Sequence, residues 1–227
     1  YIIVGAGSAG CVLANRLTDD GRHRVLLIEA GPKNNALSLK IPAAVLKNLQ
    51  STKYNWAYQG EPEPELGGRI ITHDRGKTLG GSSSINGLCF IRGHALDFEG
   101  WRQSGCEGWG YADVLPYFKR LENYSGGESE YRGGDGPLAV HRPNPQNPLY
   151  KAFIEAGRDA GYQTTDDICG YRQEGFGVFD MSIENGERNS TAKAYLDPAR
   201  PRKNLTVITD TQVQKILFNG NEATGIS

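Results

Sequence analysis

The chain opens on YIIVGAGSAGCVLANRL, and this stretch restricts the possible folds more than any other. A short apolar run, Tyr1 to Val4, ends on the spacing G-x-G-x-x-G at Gly5, Gly7 and Gly10. An apolar run closed by glycine reads as a buried parallel strand. Val12, Leu13, Arg16 and Leu17 then continue a helical pattern as far as about Asp20. RVLLIEAG places a second buried strand at Val25 to Ile28, ending at Glu29, 19 residues beyond Gly10. Strand, helix and strand at this spacing predict a parallel βαβ unit, because parallel neighbours need a crossover.

The glycines suit a dinucleotide. Gly5 permits the tight turn out of the strand, Gly7 lets the backbone approach a pyrophosphate, and Gly10 lets helix and strand pack closely. The helix N-terminus offers N–H groups and the positive end of its dipole to the phosphates. Glu29, at the tip of the second strand, can accept hydrogen bonds from ribose hydroxyls. An acidic residue here disfavours the 2′-phosphate of NADP; it does not separate FAD from NAD.

A second glycine cluster, RGKTLGGSSSING, runs from Arg75 to Gly87. A glycine–serine turn is expected to expose backbone N–H groups and to allow close approach of a flat or charged ligand. Between the clusters, YNWAYQGEPEPELGGRIITHDRG reads as an extended hairpin turning at LGG. Tyr54, Trp56 and Tyr58 alternate, so they share one face; packing is the expected use of that face, with a border to a substrate channel as the alternative.

Composition excludes several classes. Net charge is −1, so no global field favours nucleic acid or an acidic surface. No apolar run approaches 18 residues, the length that would read as a membrane span. The first residues carry a strand pattern rather than that of a signal peptide. Cys11, Cys89, Cys106 and Cys169 show no metal-ligand spacing and are expected to be free thiols in a reducing compartment. His23, His73, His94 and His141 are equally dispersed, and none is assigned a catalytic role.

GKTLGGSSSINGLCFIRGHALDFE, Gly76 to Glu99, resembles the first signature of the glucose–methanol–choline (GMC) oxidoreductases. KYNWAYQGEPEP, YRGGDGPLAV, AGYQTTDDICGYRQEGFG, RNSTAKAYLDPA and NLTVITDTQVQKILFNGNEATGI extend the similarity over nearly the whole chain. The resemblance implies FAD as cofactor and a small-molecule alcohol, choline-like, as hydride donor. It carries over the diphosphate turn to Gly5, Gly7, Ser8, Ala9 and Gly10, and the adenosine-ribose acceptor to Glu29, with Ala30 beside it. It carries the flavin-side positions to Ser82, Asn86, Gly87 and Cys89, and an adenine contact to the backbone of Val213. Some relatives bear a flavin-linked histidine just before the asparagine. Ile85 stands there, which implies non-covalent FAD. Between Glu29 and YNWAY the chain is shorter than such relatives.

The expected fold class is α/β: a discontinuous Rossmann-like FAD-binding domain, residues 1–100 and 204–227, with the beginning of an α+β substrate domain at 101–203. Helices are expected at ADVLPYFKRLENY, with Pro116 in its first turn, and at PLYKAFIEAGRDAGY; NLTVITD is expected as a strand, and VQKILFNGNEATGI as two strands turning at NGN. The family's catalytic pair, a histidine with a second histidine or an asparagine, falls beyond the residues matched here, so no catalytic residue is assigned, and the chain is read as the N-terminal portion of a longer enzyme. A quinone-type electron acceptor is expected, with oxygen as the alternative. A nucleotide-binding module without catalysis of its own also stays open. The expected location is cytoplasmic, with peripheral membrane association of the parent enzyme left open.

Overall fold

A computed structural model describes residues 1–227. The chain divides into two compact units, Tyr1–Gly87 with Gly186–Ser227, and Leu88–Asn185.

In the first unit, β1 (Ile2–Val4), α1 (Ser8–Thr18) and β2 (Val25–Ile28) form the expected parallel crossover. Strand β3 (Leu205–Ile208) adds on the far side of β2, also parallel, giving the order β1-β2-β3. Leu27 pairs with both Ile3 and Val207 and is fully buried at the centre. The first strand is buried on one face only. Ile3 is covered, whereas Ile2 and Val4 are 46% and 52% exposed. The sequence predicts burial of both faces, because a run of apolar residues does not record how many layers will cover a sheet.

The boundaries between units fall at Gly87/Leu88 and Asn185/Gly186 rather than at 100/101 and 203/204. The second of these boundaries follows from RNSTAKAYLDPARPRKN, which clamps α1. The Asn15 amide donates to the Tyr195 carbonyl at 2.8 Å, and Arg16 lies over the Tyr195 ring. Arg202 reaches Thr18 Oγ1 at 2.9 Å and Asp19 at 2.8 Å, and the Asn204 amide donates to the carbonyls of Thr18 and His23. These bonds span more than 170 residues of chain, so they leave no local pattern in the sequence.

The NGN turn joins antiparallel strands Ile216–Asn219 and Glu222–Ile226. The aromatic hairpin pairs Tyr58–Gln59 with Thr72–His73 and turns through Gly67 and Gly68, both at positive φ.

In the second unit, α2 (Ala95–Gln103), α3 (Tyr111–Leu121) and α4 (Pro148–Asp159) accompany short two-stranded ladders. Pro116 lies in the interior of α3, not in its first turn, because the helix begins at Tyr111, where Asp113 accepts from the Gly110 N–H. Its centre is a buried charge network. Glu122, fully buried, accepts from Arg92, from Arg132 Nε at 3.0 Å and from the Gly133 N–H at 2.8 Å. Arg132 continues to Asp180 at 2.8 Å and Asp167 at 2.6 Å and lies 3.6 Å above the Tyr124 ring. Burial alone would push the Arg132 guanidinium down, but Asp180 and Glu122 outweigh it and hold it above its ordinary value.

Candidate dinucleotide-binding site

The three motif glycines have three different surroundings. Gly5 turns the chain at φ +90°, a conformation other residues rarely adopt. A Cβ on Gly10 would stand 2.0 Å from the Gly5 carbonyl oxygen, so only glycine lets α1 lie this close to the turn. A Cβ on Gly7 would meet nothing within 4 Å. Gly7 caps α1 without any side-chain hydrogen bond, so the first N–H groups of the helix lack a side-chain partner there.

The second cluster is pressed against the first. A Cβ on Gly81 would stand 2.7 Å from Gly7 Cα, and the Gly80 N–H donates to the Ala6 carbonyl at 2.7 Å. Gly81–Ser84 forms a 3₁₀ turn rather than an open loop. The N–H groups of Gly81, Ser83, Ile85 and Asn86 all find carbonyl partners within the stretch itself. The expected display of free N–H groups is thus largely absent, because the turn's own backbone carbonyls accept them, while two serine hydroxyls also bond inward. Ser83 Oγ donates to the Gly80 carbonyl at 2.6 Å, and Ser84 Oγ to that of Leu79 at 2.7 Å. Small, locally bonded side chains close the turn into a wall. Ile85 is 1% exposed, with its side chain in the core.

Glu29 is buried, and both carboxylate oxygens accept from backbone: Oε2 from the Ala6 N–H at 2.8 Å, Oε1 from that of Gly31 at 2.9 Å. Burial pushes its pKa above the ordinary glutamate range, and the N–H donors of Gly31 and Ala6, then Lys77, pull in the other direction. Its own carbonyl accepts from the Thr211 N–H at 3.0 Å, and the Gly31 carbonyl from that of Asp210 at 2.9 Å. Those two bonds tie the segment before Val213 to Glu29 and Gly31.

A cavity of about 330 Å³ results, lined by Gly5, Gly7, Glu29, Ala30, Gly81 and Val213, together with Trp56, Tyr58, Gly76, Thr211 and Gln212. The structure thus gathers five of the residues singled out in the sequence, Gly5, Gly7, Glu29, Ala30 and Val213. Ser8 and Ala9 are exposed on the first turn of α1, and Gly10 is buried behind it. Ser82, Asn86 and Gly87 are exposed along the second cluster, where Ser82 Oγ accepts from the Gly76 N–H at 3.0 Å. Cys89 stands apart from this group: it belongs to the second unit, exposed on the strand Cys89–Phe90.

Trp56 and Tyr58 pack on each other and line the cavity. Their rings stack at 5.5 Å and 9° on the cavity wall, and Lys77 Nζ lies 4.4 Å from the Trp56 centroid. Ala57 between them has φ 45°, held by its N–H to Asn55 Oδ1 at 3.0 Å. The positive φ of Ala57 departs from strand alternation, and both rings line the cavity that Glu29 also lines. All four cysteines are free, and burial pushes the Cys11 thiol up to about 11, which leaves it inert.

A parallel βαβ turn with an open middle glycine, an uncapped helix start and an acidic residue at the second strand's tip defines a dinucleotide-binding domain. The family model described as GMC oxidoreductase matches residues 1–227, and the chain belongs to that family. It is 51% identical, over its whole length, to "Oxygen-dependent choline dehydrogenase" of Vibrio vulnificus and 49% identical to "Choline dehydrogenase, mitochondrial" of Mus musculus. It covers 41% and 39% of those proteins, so the chain spans about two fifths of the curated relatives it matches. Among solved structures, pyridoxine 4-oxidase from Mesorbium loti superposes with TM-score 0.94 at 36% identity, over 99% of this chain and 45% of that one. An FAD-dependent oxidoreductase from Chaetomium thermophilum superposes with TM-score 0.88 at 29% identity, over 99% of this chain and 41% of that one. The family is FAD-dependent, and the cavity suits that cofactor: a Cβ-free approach at Gly7, an acceptor at Glu29 and aromatic faces at Trp56 and Tyr58.

Proposed function

We propose that this chain holds FAD in the cavity between Gly7, Glu29 and Val213, and serves an enzyme that oxidises a choline-like primary alcohol to the aldehyde. The convergence of the βαβ pair Gly7 and Glu29 with Val213, from the far end of the chain, carries the cofactor reading. The pyrophosphate takes the space left by Gly7 at the start of α1, where the helix dipole favours anions. Glu29 accepts from ribose hydroxyls, and Val213 meets the adenine through its backbone. Ser82, Asn86 and Gly87 face the flavin end. When bound, FAD supplies the two-electron acceptor for the alcohol's hydride. The choline reading rests on the names of the relatives above. Anaerobic enzyme mixed with choline should lose its flavin absorbance. Bleaching by other alcohols but never by choline would remove choline as substrate; bleaching by none would remove the enzyme reading.

The acceptor of the flavin's electrons is of the quinone type, and a lipid-soluble quinone goes with a cytoplasmic enzyme attached peripherally to a membrane. No helix of the chain is long and apolar enough to cross one. Oxygen is the second reading, favoured by the words "oxygen-dependent" in the relatives' names. Reoxidation by air at least as fast as by a soluble quinone would select it.

The flavin is held without a covalent bond, because Ile85 has no nucleophile and its side chain is buried. Acid precipitation should release yellow cofactor into the supernatant; flavin in the pellet would show a bond to another residue.

Glu29 gives this site a pH dependence of definite sign. Its raised pKa means that it takes up a proton at higher pH than a surface glutamate. Taken alone, the group therefore adds stability as pH falls and loses it as pH rises through the folded value. Cofactor binding runs the other way, since a protonated carboxyl accepts fewer bonds from ribose. FAD affinity, followed by flavin fluorescence between about pH 7 and 5, should weaken on acidification in the wild type. In Glu29→Gln it should be weaker throughout and flat. The same slope in both proteins would rule Glu29 out as its source.

A further inference from the structure

Arg188 is the unexplained charge of the first unit. It is 3% exposed, and no carboxylate forms an ion pair with it. Its Nη1 donates to two acceptors of the second glycine cluster, the Ser83 carbonyl at 3.2 Å and Asn86 Oδ1 at 2.9 Å. Nε and Nη2 are buried without a protein partner. Burial pushes the guanidinium down to about 10, and no neighbouring acid counters that shift. It stays charged at neutral pH. Lone buried cations are costly, and proteins ordinarily pair them.

The surroundings make the absence of a counter-charge more pointed. A cavity of about 380 Å³ beside Arg188 is lined by four cations, Lys40, Arg188, Lys193 and Arg200, and two carboxylates, Glu187 and Asp197. Both carboxylates are already engaged: Glu187 with Lys193 at 3.4 Å and Asp197 with Arg200 at 2.9 Å. The lining of that cavity thus carries more cations than carboxylates.

We propose that Arg188 is a positioning residue for the flavin end of the cofactor site: it fixes the Asn86 side chain and sets an uncompensated positive charge behind it, favouring the reduced, anionic cofactor over the oxidised one. This rests on the FAD reading above. Hydride from the alcohol carbon adds two electrons and one proton to neutral flavin, FAD + H⁻ → FADH⁻, so the ring gains one negative charge. A fixed cation behind the wall that the ring meets stabilises that product and leaves the neutral form almost untouched. No carboxylate pairs with the guanidinium, so its charge stays uncompensated.

The test uses purified protein loaded with FAD and reduced stoichiometrically by dithionite against a reference dye, giving the equilibrium for two-electron reduction without alcohol or turnover. Arg188→Gln keeps donors for Ser83 and Asn86 and removes the charge. Arg188→Lys keeps the charge and loses the fork. The Gln variant should be harder to reduce by at least tenfold in the equilibrium constant, about 30 mV for a two-electron couple. The Lys variant should stay within about threefold of wild type, a difference of less than 1 kcal/mol by the usual conversion of equilibrium constants. Bound FAD per chain, read from absorbance, reports positioning separately. An unchanged equilibrium in the Gln variant, or equal shifts in both variants, would overturn the role of the charge. If the Gln variant does not fold, the Lys variant decides alone, and a tenfold loss in it overturns the proposal. Wild type that takes up no FAD would instead overturn the reading of the site itself.

Discussion

Replacing Glu122 by alanine is expected to cost the protein about 3–5 kcal/mol, the usual penalty for breaking a buried ion pair from one side. Glu122 Oε1 is the common acceptor of Arg92, Arg132 and the Gly133 N–H, and the side chains of all three charged residues are 1% exposed or less. Alanine would leave two guanidinium groups facing each other with no acid between them. Asp167 and Asp180 would still hold Arg132, but Arg92 would keep only the Tyr131 carbonyl and its contact with the Phe118 ring. For a chain of this size the loss corresponds to a fall in melting temperature of roughly 6–20 °C. Thermal unfolding of Glu122→Ala beside Glu122→Gln measures it. Glutamine keeps an acceptor and should lose distinctly less. An alanine variant within about 1 kcal/mol of wild type would show that the network contributes little, the outcome typical of solvent-exposed pairs.

Gly7→Val is expected to leave the fold intact and weaken FAD binding by at least about 100-fold, or about 2.7 kcal/mol. Gly7 has φ −72°, which valine adopts readily, and no atom stands within 4 Å of its would-be Cβ. The branched side chain would occupy the space that the pyrophosphate needs. Gly10→Ala gives the opposite outcome. Its Cβ would stand 2.0 Å from the Gly5 carbonyl oxygen, so that change should destabilise the fold itself. Flavin content after gel filtration, set beside thermal unfolding, separates the two. Normal flavin content in a folded Gly7→Val protein would remove the phosphate from this place.

The two variants show why part of this molecule is legible in its sequence. The roles of Gly5, Gly7 and Gly10 follow from steric rules acting within a dozen residues, and the paired strands follow from apolar runs four residues long. Glu29 is readable for the same reason: it ends the second strand, and the crossover fixes how far that end lies from the glycine turn. The NGN hairpin and the LGG turn are local as well.

Other features depend on what meets across the fold. Trp56 and Tyr58 alternate as written, but the positive φ of Ala57 departs from strand alternation, and both rings line the cavity. The serines after Gly80 suggest an open, N–H-rich loop; the stretch is instead a 3₁₀ turn whose own carbonyls accept those N–H groups, and two serine hydroxyls also bond inward. Residues 188–204 carry no sign that they clamp α1, and this places the later division between units before them. Arg132 sits in a polar, glycine-rich stretch, yet its side chain is 1% exposed.

The sequence by itself determined the βαβ turn, its preference for a dinucleotide and membership of the family, because each rests on short-range sterics or on residue identity along the chain. Only the tertiary structure decided that Gly81 abuts Gly7, that the N–H groups of Asp210 and Thr211 tie the segment before Val213 to Gly31 and Glu29, and that Arg188 stands buried without an acid. Those three facts depend on contacts between segments roughly 70 to 180 residues apart, and closing loops of that length leaves no periodic trace in the sequence between their ends.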